Sequence, residues 1–237
     1  MDQDIVTFPP TTETNSSQTS TTMKTPHLAS AVLLFATFLV GAMGNGLYLW
    51  VLGLKMRTTV TTLWFLHLVS CSLLFTLLIP FFAVYLLLGL HWIFGTAMCK
   101  LLNACLSVCM FFSVFLITLI SLDRYFLTHH PIWSRHHRTL PRVGYLIMGV
   151  WLISFALSTP YLVFRELHVE DGGRVICIDN YSVSGDWKGA EMRGLGRSIH
   201  MSIFMIRFLL GFLLPFCIIV GCYSRVGDHR FHISDWF

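Results

Sequence analysis

The chain has 237 residues, of which 55% are hydrophobic and 12% charged, about half the roughly 25% charge usual for a soluble domain. Its net charge of +4 comes from Lys and Arg scattered over connecting segments. They are not gathered among aromatics, which argues against a nucleic-acid surface. The order of charged and uncharged stretches carries more information than the totals.

Residues 1–27 are rich in Ser and Thr and carry the sequon Asn15-Ser16-Ser17. That composition belongs to a solvated, disordered tail. No apolar core precedes a small-residue cleavage site, so no removable signal peptide is expected. No Asp, Glu, Lys or Arg occurs from Leu28 to Leu54, from Thr58 to Cys99, from Leu101 to Leu122 or from Val143 to Phe164. The stretch Ser198–Ser224 holds one charge, Arg207. A helix crosses the hydrocarbon core with about 20 apolar residues. The predicted spans are therefore about 28–54, 60–88, 98–127, 142–164 and 199–224, an all-α polytopic membrane bundle set in the lipid bilayer.

Connections are short except for 165–198, which is polar and contains the sequon Asn180-Tyr181-Ser182. Lys55 and Arg57 follow the first span, and Arg124, Arg135, Arg138 and Arg142 surround the loop after the third, whereas the short loop 89–98 has no Lys or Arg. The positive-inside rule puts the loops after the first and third spans in the cytoplasm and the N-terminus outside. Both sequons then lie where glycosylation takes place. Five cysteines lie within apolar runs, where a small buried hydrophobe is the ordinary reading. Cys99 and Cys177 lie at a helix end and in the long loop instead. They can form a disulfide if both face the oxidising side.

Several motifs occur in one order: Gly44-Asn45-Gly46, then His91-Trp92-Ile93-Phe94-Gly95 before Cys99, then Asp123-Arg124-Tyr125, Trp151, Cys177, and Pro215 with Tyr223. The triplet lies 24 residues after Cys99. In this order and at these depths the chain resembles the rhodopsin-like G-protein-coupled receptors. Leu122-Asp123-Arg124-Tyr125, His130-Pro131-Ile132-Trp133, His137-Arg138-Thr139 and Arg207-Phe208-Leu209-Leu210-Gly211-Phe212 are similar to the chemoattractant branch that contains the formyl-peptide receptors. The resemblance covers roughly 28–226, the seven-helix-receptor part, between the tail 1–27 and the segment 227–237.

The resemblance implies a plasma-membrane receptor that passes an extracellular peptide, protein or lipid signal to a heterotrimeric G protein. Asp123-Arg124 reads either as an interfacial charged pair or, as the resemblance implies, as the coupling triplet with Tyr125. There Asp123 would hold Arg124 at rest, and Tyr223 would assist it on activation. Cys99 and Cys177 would tie the long loop over the pocket. Trp92 reads equally as an interfacial aromatic or as a loop-packing residue. Pro215, lacking an N–H, is either a tolerated kink or a bulge that shapes the pocket. Asn45 is expected to bond to neighbouring helices, and Trp151 to be structural.

Arg207 stands out as a charge in an apolar helix, eleven residues after Gly196, or roughly 16 Å of helix. It either snorkels or faces a ligand pocket. The resemblance favours a pocket that binds an anionic group, with Ser107 where formyl-peptide receptors carry an acid. Ile203 replaces a second basic residue there, so formyl-peptide recognition is not expected. Ser72 replaces the aspartate that most relatives use with a serine, here Ser113, to bind sodium.

After Tyr223-Ser224-Arg225-Val226 the family continues through a loop and two further helices, whereas residues 227–237 contain no apolar run. A truncated, non-signalling five-span chain is the expectation, with retention in the endoplasmic reticulum open. The alternatives are an interaction partner that pairs with full-length receptors, forming dimers and retaining them, and a five-span transporter. A transporter would need paired polar residues deep in several spans, and Arg207 is the one charge there. His129, His130, His136 and His137 have no fixed geometry and no cysteine among them, so no metal site is expected. Gly194-Leu195-Gly196 follows no strand and fits no phosphate loop. No hydrolase elbow or zinc-protease helix occurs, so neither enzymatic chemistry nor a cofactor is expected.

Overall fold

The computed structural model describes residues 17–170, 172–181 and 190–234. Five of its helices are long and apolar enough to cross a membrane: Pro26–Lys55, Val60–Leu87, Gly95–His129, Leu140–Phe164 and Gly196–Val226. These match the four charge-free runs and the stretch that holds Arg207.

In chain order the elements are α1 (Ser17–Trp50, extended by a π-helical turn Val51–Lys55), α2 (Val60–Leu87), α3 (Gly95–His129), α4 (Pro131–His137) and α5 (Leu140–Phe164). A hairpin follows, β1 (Arg165–Val169) and β2 (Val175–Asp179). The last span is α6 (Ala190–Phe208), a π-helical turn (Leu209–Leu213) and α7 (Leu214–Ser234). Two ends differ from the sequence reading. Helix α1 begins at Ser17, inside the segment read as tail, and α7 continues to Ser234, past Val226. In both places a helix already begun is prolonged over polar residues, since each added residue gains a hydrogen bond without a new nucleus.

Local chemistry sets the other boundaries. The Thr59 hydroxyl accepts the Thr62 N–H at 3.1 Å and caps α2. Pro131 opens α4 and Pro141 lies in the first turn of α5, where a missing N–H leaves no bond unmade. Gly95 starts α3 at φ +76°, a conformation that costs glycine little.

Helix α3 is the centre of the bundle and packs against α2, α5, α7 and β1. Phe111, Phe112 and Leu116 are the largest of its fully buried side chains. One core layer joins Trp64 and Cys71 of α2 and Phe112 and Leu116 of α3 to Val143, Ile147 and Val150 of α5. The Trp151 ring stacks on Phe112 at 4.0 Å. A second layer gathers around Trp92, Cys99 and Leu102 under the hairpin. By contrast, only 6% of the most apolar window is buried in the first span, and the same share in the last.

Candidate functional site

The bundle has two polar ends. At the hairpin end β1 and β2 pair antiparallel, with Arg165 opposite Asp179 and Leu167 opposite Cys177. Cys99 and Cys177 form a disulfide with Cα atoms 5.9 Å apart, which fastens β2 to the start of α3. Trp92, 2% exposed, fixes the same unit. Its backbone N–H donates to the Val175 carbonyl at 2.8 Å. Its indole Nε1–H donates to the Gly95 carbonyl at 3.0 Å. The ring meets Tyr85 at 5.5 Å and Phe94 at 5.3 Å. Of its two sequence readings, loop packing is the one observed.

Asn103, one turn beyond Cys99 on α3, donates to the Cys99 carbonyl at 2.8 Å and to the Cys177 sulfur at 3.6 Å. Its Oδ1 accepts from Arg165 Nη2 at 3.0 Å, and Arg165 Nη1 lies 3.3 Å from Asp179. Neither Asn103 nor Arg165 was singled out in the sequence. Arg165 is the first charge after the fourth span, which was the only available signal. Asn180 follows β2, and its Nδ2 donates to Glu166 Oε2 at 2.9 Å. The other sequon residue, Asn15, lies outside the described residues.

Arg207 sits at the end of α6, its guanidinium 4.1 Å from the centre of the Tyr161 ring of α5, a cation–π contact. Its Nε and Nη2 are buried and have no hydrogen-bond partner among the described residues. Tyr181 stands between Phe164 and His200, with ring centres at 5.0 and 5.1 Å. Burial pushes its phenol above the usual value, the Asp179 carboxylate adds to that, and the Arg207 charge opposes it. Tyr181 is therefore neutral throughout the physiological range. Ser107 lies nearby in the chain of contacts but is engaged: it is buried and accepts the Ser158 hydroxyl at 3.0 Å. Ser158 and Tyr161 are three residues apart on α5, so one face of that helix meets both Ser107 and Arg207.

Pro215 is buried directly after the π-helical turn Leu209–Leu213. The wide turn is the bulge that the sequence reading set against a plain kink. It also lets the chain pass close to α3: a Cβ at Gly211 would lie 2.7 Å from Phe111 Cε1.

The opposite end departs from expectation. Asp123 does not hold Arg124. Its two oxygens receive Arg138, Nε to Oδ1 at 2.9 Å and Nη2 to Oδ2 at 3.0 Å. Arg138 Nη2 also donates to the Thr61 hydroxyl at 2.7 Å. The short helix α4 turns the loop back under the bundle and so brings a residue fifteen positions on to the carboxylate. Arg124 is exposed and, among the described residues, forms no ion pair. Tyr125 packs on His129 at 4.6 Å, and Tyr223 is 60% exposed.

Asn45 is half-buried and, among the described residues, makes no side-chain hydrogen bond to a neighbouring helix. Ser72 is engaged within its own helix, where its hydroxyl donates to the Leu68 carbonyl at 3.0 Å.

Beside the Asp123–Arg138 pair lies a half-open cavity of about 190 Å³ between α2, α3, α4 and α5. Its walls include Trp64, Leu122, Phe126 and Leu146, and its polar lining includes Arg138 and Arg142.

The bundle carries a disulfide-pinned hairpin over one end and the Asp123-Arg124-Tyr125 triplet at the other, in the order of the rhodopsin-like receptors. The chain belongs to the rhodopsin family of 7 transmembrane receptors, whose profile matches residues 44–234. It is 50% identical over 196 residues to probable G-protein coupled receptor 33 of Pan paniscus, covering 83% of this chain and 59% of that protein. It is 46% identical over 158 residues to the C3a anaphylatoxin chemotactic receptor of Mus musculus, covering 66% of this chain and 33% of that one. It is 42% identical over 196 residues to chemerin-like receptor 1 of Homo sapiens, covering 79% and 51%. The chain thus lies in the chemoattractant-like branch and spans about 59% of the length of the first of these relatives.

Proposed function

We propose that this chain is the ligand-binding and inner-face part of a chemoattractant-type receptor, with the hairpin end outside the cell and the Asp123 end in the cytoplasm. The basic short loops and the two sequons support that orientation. The observation that carries the ligand reading is Arg207, whose buried Nε and Nη2 have no protein partner among the described residues. A buried, unpaired guanidinium is costly, and an anionic ligand group satisfies it. The relatives named for C3a anaphylatoxin and chemerin make a peptide or protein ligand the natural class. A terminal carboxylate is the simplest anion such a ligand offers, and Arg binds it in a fork.

Two peptide pools that differ only in a free or an amidated C-terminus test this on membranes holding the chain. The free-acid pool should be retained and the amide pool lost, and Arg207→Gln should abolish the difference. Equal retention of the two pools removes the carboxylate reading.

At the inner end, Asp123, Arg124, Tyr125 and Tyr223 are the residues that would meet a heterotrimeric G protein. Release of Arg138 from Asp123 is the local change that would accompany it. Nucleotide exchange on a G protein, compared between the chain and Arg124→Ala, checks this: equal rates would remove Arg124 from the contact.

A second reading rests on a separate observation. Phe204, Phe208, Phe212 and Phe216 are all exposed and stack in succession at 6.3, 5.6 and 5.9 Å along the last span. This apolar ladder could seat another receptor's helix, which would make the chain an interaction partner that retains full-length receptors in the cell. Co-precipitation with a complete receptor, abolished by Phe208→Ala with Phe212→Ala, is the expected result.

A further inference from the structure

The cavity at the Asp123 end has a composition that the receptor reading leaves unused. It lies between α2, α3, α4 and α5 of a bundle whose outer faces meet lipid, and its apolar lining includes Trp64, Leu122, Phe126 and Leu146. Its polar side combines Ser134, His137 and the Asp123–Arg138 pair with Arg142. Arg142, in the first turn of α5, is exposed and, among the described residues, forms no ion pair. Arg138 reaches the same space while it holds Asp123. Trp64 is 3% exposed, and its Nε1–H has no hydrogen-bond partner among the described residues, a donor that burial leaves at a cost.

An apolar slot with a free guanidinium at its mouth fits an amphiphile, with carbon chain inside and anion outside. Neither a hydrophilic anion nor a neutral lipid satisfies both halves. A free phosphate gains nothing from the aromatic wall, and a zwitterionic head group brings its own cation to Arg142. We propose that this cavity holds an anionic phospholipid of the surrounding leaflet, its phosphate paired with Arg142 and the start of one acyl chain packed between Trp64, Phe126 and Leu146. Basic residues at a membrane end attract such lipids, each cation contributing about the same increment near the surface. Occupancy also bears on the ion pair that closes this end, because a phosphate in the cavity competes with Asp123 for Arg138. The site stands on the cavity and its charges alone and does not depend on the ligand reading at Arg207.

The test uses the full chain in phosphatidylcholine vesicles doped with one of three photoreactive probes at equal mole fraction: a diazirine-tailed phosphatidylserine, phosphatidylcholine or free fatty acid. Cross-linked peptides are mapped by mass spectrometry. Phosphatidylserine should label the segments around Leu122 and Leu146 roughly fivefold above phosphatidylcholine, the effect of one cation. Arg142→Gln should bring the two to the same level. Leu146→Trp keeps the charge and fills the slot, and it should lower labelling as well. Both positions are exposed, and persistence of the Cys99–Cys177 bridge on a non-reducing gel reports that the variants fold. Equal labelling by both phospholipids means ordinary boundary lipid and overturns the proposal. Labelling by the fatty acid alone also overturns it, in favour of a free carboxylate occupant. Undiminished labelling of Arg142→Gln removes the assigned head-group contact.

Discussion

Arg138 closes a two-pronged contact on Asp123, 2.9 and 3.0 Å from its two oxygens, and carries the Thr61 hydroxyl on the same guanidinium. Three elements, α2, α3 and the segment after α4, are thereby joined at one end of the bundle. The side chains are only 23% and 13% exposed, so the pair is screened far less than a surface ion pair. Its geometry is the bidentate one for which Arg is suited.

Removing either partner leaves the other charge half-desolvated. Arg138→Ala should destabilise the chain by about 1–2 kcal/mol, below the 3–5 kcal/mol of a fully buried pair, and lower the melting midpoint in detergent by roughly 2–8 °C. Asp123→Ala should cost a similar amount, and the double variant should cost little more than either single one. Simple additivity of the two losses in that thermodynamic cycle would show that the residues are not coupled.

The hairpin end depends on Trp92 in the same way. Trp92→Ala removes a large buried ring and should cost about 3–5 kcal/mol. Trp92→Phe keeps most of the ring but loses the bond to the Gly95 carbonyl, a loss of about 1 kcal/mol. Protease cleavage within the hairpin, followed over time, should accelerate strongly for the first variant and slightly for the second. Equal rates for both would mean that the indole N–H, not the packing, holds the loop.

Close passage of the last span past α3 gives a third outcome. Gly211→Ala would place a methyl 2.7 Å from Phe111 Cε1, and Phe111 is fully buried with little room to yield. Overpacking of this kind costs about 1–3 kcal/mol. Gly221→Ala, which meets nothing within 4 Å, should change stability by less than about 0.5 kcal/mol, as exposed substitutions usually do. Thermal unfolding of the two variants side by side separates contact from composition.

The amino-acid sequence by itself determined the five spans. Val60 and Phe164 bound the same helices in the structure as in the charge pattern, because a backbone in hydrocarbon must satisfy its own hydrogen bonds and so becomes helix wherever charges are absent. It also put Cys99 at one end of the third span and Cys177 in the long loop, where a disulfide can form if both face the oxidising side. Only the tertiary structure decided which side chains meet between helices: Asp123 with Arg138 rather than Arg124, Ser107 with Ser158, Arg207 with Tyr161, and Asn45 with no side-chain hydrogen bond to another helix among the described residues. Those pairings depend on the rotation of each helix about its axis. A helix that is apolar on every side carries no stripe to fix that rotation, so it is set by packing, through contacts such as Phe112 on Trp151 and Gly211 against Phe111.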